Sequence, residues 1–140
     1  MDIQEFGKGR VRLLLVPGGP SLVPAFYTEL TDRLAETARV ITYTPRGTAP
    51  RPLDDFPTTM DEAVAELEEI LAVVRSGAYD SADDNDGPLV FLAHSFGAAV
   101  AIEYLTARGS GTRVDAAILV SPYSSGTMIR AGISARVEAF

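Results

Sequence analysis

Short apolar runs alternate along the chain with longer segments whose apolar residues recur at helical spacing. The runs at 11–16, 39–43, 89–93 and 116–120 predict buried β-strands. Near-continuous apolar strands separated by helices are typical of parallel sheets whose crossovers are right-handed. The pattern therefore predicts an α/β fold, with a parallel sheet of about four strands and helices on both faces.

Three helices are predicted between these strands. The first places three residues at helical spacing: Tyr27, Leu30 and Leu34. The second begins at the capping box formed by Thr59 and Glu62, and Gly77 ends it. Its apolar stripe consists of Met60, Val64, Leu67, Leu71 and Val74. The third, from 96 to about 107, is apolar on most faces, so we expect it to be deeply buried before Gly109 stops it.

Composition narrows the classes of function. The 140 residues suffice for one domain with a core, and the net charge of −7, with scattered arginines, argues against nucleic-acid binding. No apolar run approaches the roughly 18 residues of a membrane span. The absence of cysteine excludes disulfides and thiolate metal sites and favours a cytoplasmic location. The acidic loop at 80–86 does not fit a calcium-binding pattern, because Ala82 and Ala93 would occupy ligand positions. We expect no cofactor and no metal.

Residues 93–97, with the sequence Ala-His-Ser-Phe-Gly, follow a predicted strand and open a predicted helix. This is the context of the G-x-S-x-G nucleophile elbow, with Ala93 in the first position. The elbow holds its serine on a strained turn that exposes the hydroxyl, and the helix N-terminus favours a developing negative charge. Ser95 is therefore the candidate nucleophile, and we predict a positive φ for it. The alternative is a serine in an ordinary strand-to-helix turn.

A general base is the missing part of this site. His94 is the only histidine, and it neighbours Ser95 on an extended strand, where successive side chains point to opposite sides. We expect His94 to be buried, to pack and to form hydrogen bonds. Asp115 precedes the last predicted strand, which is the wrong end for a triad acid. This chain therefore supplies neither the acid nor the histidine of a triad.

Two loops at the ends of the first two strands complete the candidate site. Residues 17–20, Pro-Gly-Gly-Pro, can supply one backbone donor of an oxyanion hole, and the residue after the nucleophile supplies the other. The predicted donors are thus Gly19 and Phe96, and a simple tight turn is the alternative for the loop. Arg46, after the second strand, either braces neighbouring loops or faces solvent.

The order and spacing of these loops resemble the proline iminopeptidase branch of the α/β-hydrolases. That branch has an H-G-G-P-G loop, a D-Q-R-G-x-G-x-S loop and a G-x-S-x-G elbow. Here 17–21 reads Pro-Gly-Gly-Pro-Ser and 44–49 reads Thr-Pro-Arg-Gly-Thr-Ala. Pro17, Ser21 and Thr44 depart from the family pattern, so specificity for an N-terminal proline does not follow. The stretch 95–98 also resembles thioesterases of polyketide and peptide synthesis.

The resemblance implies a partial α/β-hydrolase fold and a serine hydrolase that acts on an ester or amide, with a thioester as the alternative substrate class. With the crossover rule it implies the strand order 39–43, 11–16, 89–93, 116–120, with the first and last at the edges. Residues 1–122 would form the N-terminal half of the core. Residues 123–140 would begin a cap segment, in which Ile133, Val137 and Phe140 form an apolar stripe.

The expected substrate is a small molecule or a peptide, and the expected partner is a missing C-terminal half. The alternative is a non-catalytic remnant or one half of a split hydrolase. A reading frame that continues past Phe140 to an Asp and a His would favour the enzyme fragment, and one that stops there would favour the alternative.

Overall fold

A computed structural model describes residues 2–19, 24–77, 87–108 and 113–122. Several of the predictions above concern residues outside these ranges: Pro20, Ser21, the loop at 80–86, Gly109 and the whole segment 123–140 with its apolar stripe.

Within the described residues, five strands form one sheet in the order β1-β3-β2-β4-β5. The strands are β1 Ile3–Phe6, β2 Arg12–Val16, β3 Arg39–Tyr43, β4 Leu89–His94 and β5 Ala116–Val120. The last four are parallel to one another, and their predicted order is confirmed. This parallel arrangement brings the ends of β2, β4 and β5 to one edge, where ligands of such sheets bind.

The edge position predicted for β3 is wrong, because β1 pairs with it in antiparallel orientation. The sequence of β1, Ile-Gln-Glu-Phe, lacks both an apolar run and strict alternation, so its pattern does not indicate a strand. The structure accommodates its acid by an ion pair between Glu5 and Arg39, at 3.3 Å, with both side chains mostly buried. Such a pairing depends on tertiary contacts that hydrophobic periodicity does not report.

Three α-helices connect the described strands: α1 Thr28–Ala35, α2 Met60–Ser76 and α3 Phe96–Arg108. The predicted capping box of α2 is confirmed, since the Thr59 hydroxyl accepts from the Glu62 N–H and the Glu62 carboxylate accepts from the Thr59 N–H, both at 3.2 Å. Hydrogen bonds from Thr58, and then from Thr59, hold the pKa of Glu62 below its usual value. Gly77 ends α2 in the left-handed conformation, with φ +66°.

The sheet buries its two faces unequally. On one face α2 and α3 cover the apolar residues of three strands, including Leu14, Ile41 and Phe91, all of which are fully buried. On the other face a smaller cluster of Leu13, Ala38 and Val40 packs beside Leu34 of α1. Helices on both faces are thus confirmed, but α1 is short and covers only part of its side.

The uncovered part of the α1 face is an apolar groove of about 450 Å³. Leu30 of α1 lines this groove and is 42% exposed. Next to the groove, β5 is exposed along its whole length, with Ile118 at 51% and Val120 at 43%. An apolar strand at the edge of a sheet is a template for pairing with another chain.

We therefore predict that the purified chain self-associates through β5. Sedimentation velocity should show oligomers whose share grows with protein concentration. Ile118→Lys should shift the distribution towards monomer, because a charge on an edge strand opposes pairing. Ala107→Lys, which adds the same charge at an exposed position of α3, is the control and should leave the distribution unchanged. A monomer that melts cooperatively and does not change on dilution would contradict this expectation.

Candidate functional site

The turn between β4 and α3 holds Ser95 in a strained backbone conformation. Its φ is +52°, a left-handed value that residues with a Cβ rarely adopt, and the predicted strain is confirmed. The Ser95 N–H donates to the carbonyl oxygen of Val120 at 2.9 Å, and the Ser95 carbonyl oxygen accepts from the Ala98 N–H at 3.0 Å. The residue thus ends a strand and begins a helix, and it remains partly exposed at the edge of the sheet.

Small residues around Ser95 allow three backbone segments to meet. A Cβ on Gly97 would collide with the carbonyl oxygens of Val16 and Pro17, so the first turn of α3 lies directly against the end of β2. Ala93 is fully buried, and its methyl group is accommodated there in place of the usual glycine. These close approaches explain why the elbow needs small side chains two positions before and after the serine.

The loop after β2 contacts the elbow directly. A Cβ on Gly18 would lie 2.8 Å from the Ser95 Cβ and 2.8 Å from the His94 carbonyl oxygen, so only glycine fits. Gly19 follows with φ +59°, and a Cβ built there meets no atom of the described residues within 4 Å. The structure therefore brings the predicted donor loop next to the predicted nucleophile and leaves open space at Gly19.

A small cleft of about 30 Å³ lies between Gly19, Phe96 and Gly97. That volume accommodates one group the size of a water molecule. The first N–H groups of a helix have no intrahelical acceptor, so the start of α3 presents partial positive charge to the cleft. The two predicted oxyanion donors thus line one cleft, which also contacts Tyr43 and Glu66, and Ser95 is not among its lining residues.

His94 has the hydrogen-bonding role predicted for it, but the prediction that it is buried is wrong, because its side chain borders the open groove on the α1 face. Its Nδ1 lies 3.0 Å from the Tyr27 hydroxyl, and the two rings meet edge-on with centroids 6.0 Å apart. Its side chain lines the groove on the α1 face, whereas Phe96 and Gly97 line the small cleft. The one histidine of the chain is therefore engaged through its Nδ1 with Tyr27.

A buried carboxylate, that of Glu66, braces the loop after β3, and no sequence pattern predicted this role. Glu66 of α2 is 5% exposed, and its Oε1 accepts from the Arg46 N–H at 2.7 Å and from Arg51 Nη1 at 2.8 Å. Arg51 also donates to the Thr44 carbonyl oxygen, and Arg46 donates to the Glu62 carbonyl oxygen. Of the two roles left open for Arg46, the structure supports the brace.

Two further residues border the strand ends. Asp115 accepts from the Leu89 N–H at 2.8 Å and directly precedes β5, at the amino end of that strand. Ser121 directly follows β5 and has φ +50°. Because His94 pairs with Val120, Ser121 lies beside Ser95 at the same edge. No sequence motif marks Ser121.

The described residues show neither a metal-binding cluster nor a membrane-spanning helix. Across 2–19, 24–77, 87–108 and 113–122, no group of three or more histidine or acidic side chains is placed to hold a metal ion. In that part of the chain, none of the helices has the length and apolar character needed to cross a bilayer.

Comparison with known proteins identifies one family and several similar solved structures. The sequence profile of the alpha/beta hydrolase family matches residues 13–140. No curated protein sequence matches the chain. A lipase-esterase related protein from Clostridium acetobutylicum has 16% identity and a TM-score of 0.66, over 86% of this chain and 46% of its own. An alpha/beta hydrolase fold protein from Burkholderia ambifaria has 20% identity and a TM-score of 0.67, over 89% and 41%.

A carboxyl esterase from Bacillus coagulans has 16% identity and a TM-score of 0.64, over 84% of this chain and 39% of its own. Similarity at these identities shows the fold alone. The chain spans less than half the length of each of the three structures.

Proposed function

Because the chain belongs to the alpha/beta hydrolase family, we propose that it carries the nucleophile and the oxyanion hole of a serine hydrolase that cleaves an ester or amide. The observation that supports this most strongly is the positive φ of Ser95 on a turn that packs against Gly18. Backbone strain persists only where the surroundings impose it, and it concentrates at functional sites.

The proposed reaction begins when Ser95 Oγ bonds to the substrate carbonyl carbon while a base takes the hydroxyl proton. The carbonyl oxygen becomes negatively charged and accepts hydrogen bonds from the N–H groups of Gly19 and Phe96. Collapse of this intermediate breaks the bond to the leaving alcohol or amine, which takes up the proton. Water then cleaves the acyl-serine in the same way and restores the hydroxyl.

The base and its acid come, in this proposal, from polypeptide outside these 140 residues. The only histidine is hydrogen-bonded to Tyr27, and the chain covers 46% or less of the three structures compared with it. In α/β-hydrolases the triad runs Ser, then acid, then His along the chain. A complementary C-terminal half is thus the proposed partner, whether joined to this chain or supplied as a second one.

The proposed substrates are esters or amides of small molecules or peptides. The resemblance to proline iminopeptidases favours a peptide, whereas the esterases among the similar structures favour an ester. The apolar groove on the α1 face does not discriminate between them. We also propose a cytoplasmic location, which rests on the absence of cysteine.

Hydrolysis of p-nitrophenyl butyrate tests the proposal. The 140-residue chain alone should show no turnover above its Ser95→Ala variant, because loss of a triad base lowers kcat by about 10⁶-fold. If the reading frame continues past Phe140, the longer polypeptide should turn the ester over, and Ser95→Ala should abolish that turnover. Steady turnover by the 140-residue chain that needs Ser95 would show that the base lies within it, and turnover by the longer polypeptide that survives Ser95→Ala would exclude Ser95 as nucleophile.

A further inference from the structure

A buried tyrosine joins the loop after β2 to the residue that precedes Ser95. The Tyr27 hydroxyl accepts a hydrogen bond from the Gly18 N–H at 3.0 Å and lies 3.0 Å from His94 Nδ1. Tyr27 is 5% exposed, and its ring packs edge-on against the imidazole. One side chain at the start of α1 thus contacts both segments that form the proposed site.

The positions of the protons give this chain of hydrogen bonds a direction. Because the Tyr27 oxygen accepts from the Gly18 N–H, its own proton is available for a second bond, and His94 Nδ1 is the acceptor within reach. Burial raises the pKa of Tyr27 more than the Gly18 hydrogen bond lowers it, so the hydroxyl keeps its proton at neutral pH. In this arrangement His94 Nδ1 accepts the Tyr27 proton, which corresponds to the tautomer with its N–H at Nε2.

The Gly18 N–H is already hydrogen-bonded to Tyr27, so another backbone amide of this loop has to bind the substrate oxygen. A donor that is committed to a buried hydroxyl cannot also stabilise an oxyanion at Ser95. At Gly19 the surroundings are open, and no acceptor for its N–H is found among the described residues. Tyr27 thereby leaves Gly19, and not Gly18, as the available donor.

We infer that Tyr27 and His94 form a clamp that positions the Gly19 N–H for the oxyanion at Ser95, an inference that rests on the proposed function. Tyr27 is a positioning residue, because it acts through Gly18. Gly18 has no room to shift towards Ser95, since even a methyl group would collide there. Donors fixed in advance stabilise charge without rearrangement, and displacement by one ångström costs about 10²-fold in rate.

Nuclear magnetic resonance of the 140-residue chain tests the clamp without reference to activity. In Tyr27→Phe, hydrogen exchange at the Gly18 amide should accelerate about tenfold, the equivalent of one lost hydrogen bond. The ¹⁵N signals of His94 identify the tautomer without ambiguity, because the chain has a single histidine, and the Nδ1 signal should shift. Tyr104→Phe makes the same change at a residue that is 4% exposed and whose hydroxyl accepts from Arg75, and it should alter neither signal.

Acetylation of Ser95 by p-nitrophenyl acetate, with imidazole added as the base, tests the positioning role. The rate, followed by mass spectrometry of the Ser95 peptide, should fall about tenfold in Tyr27→Phe and stay unchanged in Tyr104→Phe. His94→Ala removes the other half of the clamp and should also slow acetylation, so the test does not depend on one variant.

The outcomes separate the clamp from the proposed function. Unchanged Gly18 exchange and unchanged His94 signals in Tyr27→Phe would overturn the clamp. Changed signals with an unchanged acetylation rate would overturn the positioning role. If Ser95 of the unsubstituted chain is not acetylated at all, the proposed function fails and the positioning role fails with it, while the resonance data still decide whether the clamp exists.

Discussion

Glu66→Ala should lower the free energy of unfolding by about 3 kcal/mol, because it removes one partner of a buried ion pair. The carboxylate of Glu66 is 7% exposed and lies 2.8 Å from Arg51, so its loss leaves that guanidinium with the Thr44 carbonyl oxygen and the Asp55 carboxylate as partners. The Arg46 N–H loses its acceptor as well. The expected loss is at the lower end of the range for buried pairs, since the Arg51 side chain is 25% exposed.

Two further variants of α2 serve as comparisons for the stability of Glu66→Ala. Glu66→Gln keeps an acceptor oxygen and the side-chain volume, so it should cost less than Glu66→Ala. Glu69→Ala removes an exposed acid from the same helix and should change stability by no more than about 0.5 kcal/mol. Urea unfolding at low protein concentration gives all three values. A Glu66→Ala variant as stable as Glu69→Ala would mean that the brace contributes nothing.

Gly97→Ala should destabilise the chain by about 1–3 kcal/mol, although alanine is the better helix former. Helix propensity alone predicts a gain of about 1 kcal/mol at a helical position. The collision of the added methyl with the carbonyl oxygens of Val16 and Pro17 predicts a loss instead, because the obstructing atoms are backbone of a central strand. The sign of the change therefore decides between the two effects.

Gly19→Ala is the matched control for Gly97→Ala. The site at Gly19 is open, so that substitution costs only the strain of its positive φ, about 1 kcal/mol. Urea unfolding of both variants compares a steric effect with a purely conformational one. A Gly97→Ala variant at least as stable as the unsubstituted chain would contradict the close packing of α3 on β2, and with it the geometry of the elbow.

The parallel part of the sheet could be predicted because each strand buries apolar residues on both faces. The apolar runs gave β3 and β5 with their observed bounds and β2 and β4 to within a residue. The first strand was missed because Glu5 lies in it, and only its pairing with Arg39 makes that position favourable. Short edge strands depend on their neighbours, so a local pattern does not reveal them.

The candidate site likewise has parts that the sequence predicts and parts that it does not. Local chemistry predicted the strained conformation of Ser95 and the hydrogen-bonding role of His94, since both follow from a turn of five residues. The sequence indicated only that Tyr27 lies at helical spacing with Leu30 and Leu34, because its contact with Gly18 depends on how the segment before α1 packs on the loop after β2. Glu66 did leave a signal: it is an acid spaced three residues from Ala63 and four from Ile70, both buried on the inner face of α2. An acid in that register indicates a buried partner.

The most direct measurement of the central claim is the position of the acetyl group after reaction with p-nitrophenyl acetate. The claim is that Ser95 is a nucleophile held ready beside an oxyanion hole, with its base outside the 140 residues. Imidazole in solution replaces the missing base, and peptide mass spectrometry locates every acetylated residue. Background acetylation is easily recognised, because Lys8 is the only lysine.

The account predicts acetyl-Ser95 in the presence of imidazole, little or none without it, and none in Ser95→Ala. Acetylation confined to Lys8 and the N-terminus, with the same pattern in the unsubstituted chain and in Ser95→Ala, would contradict the claim.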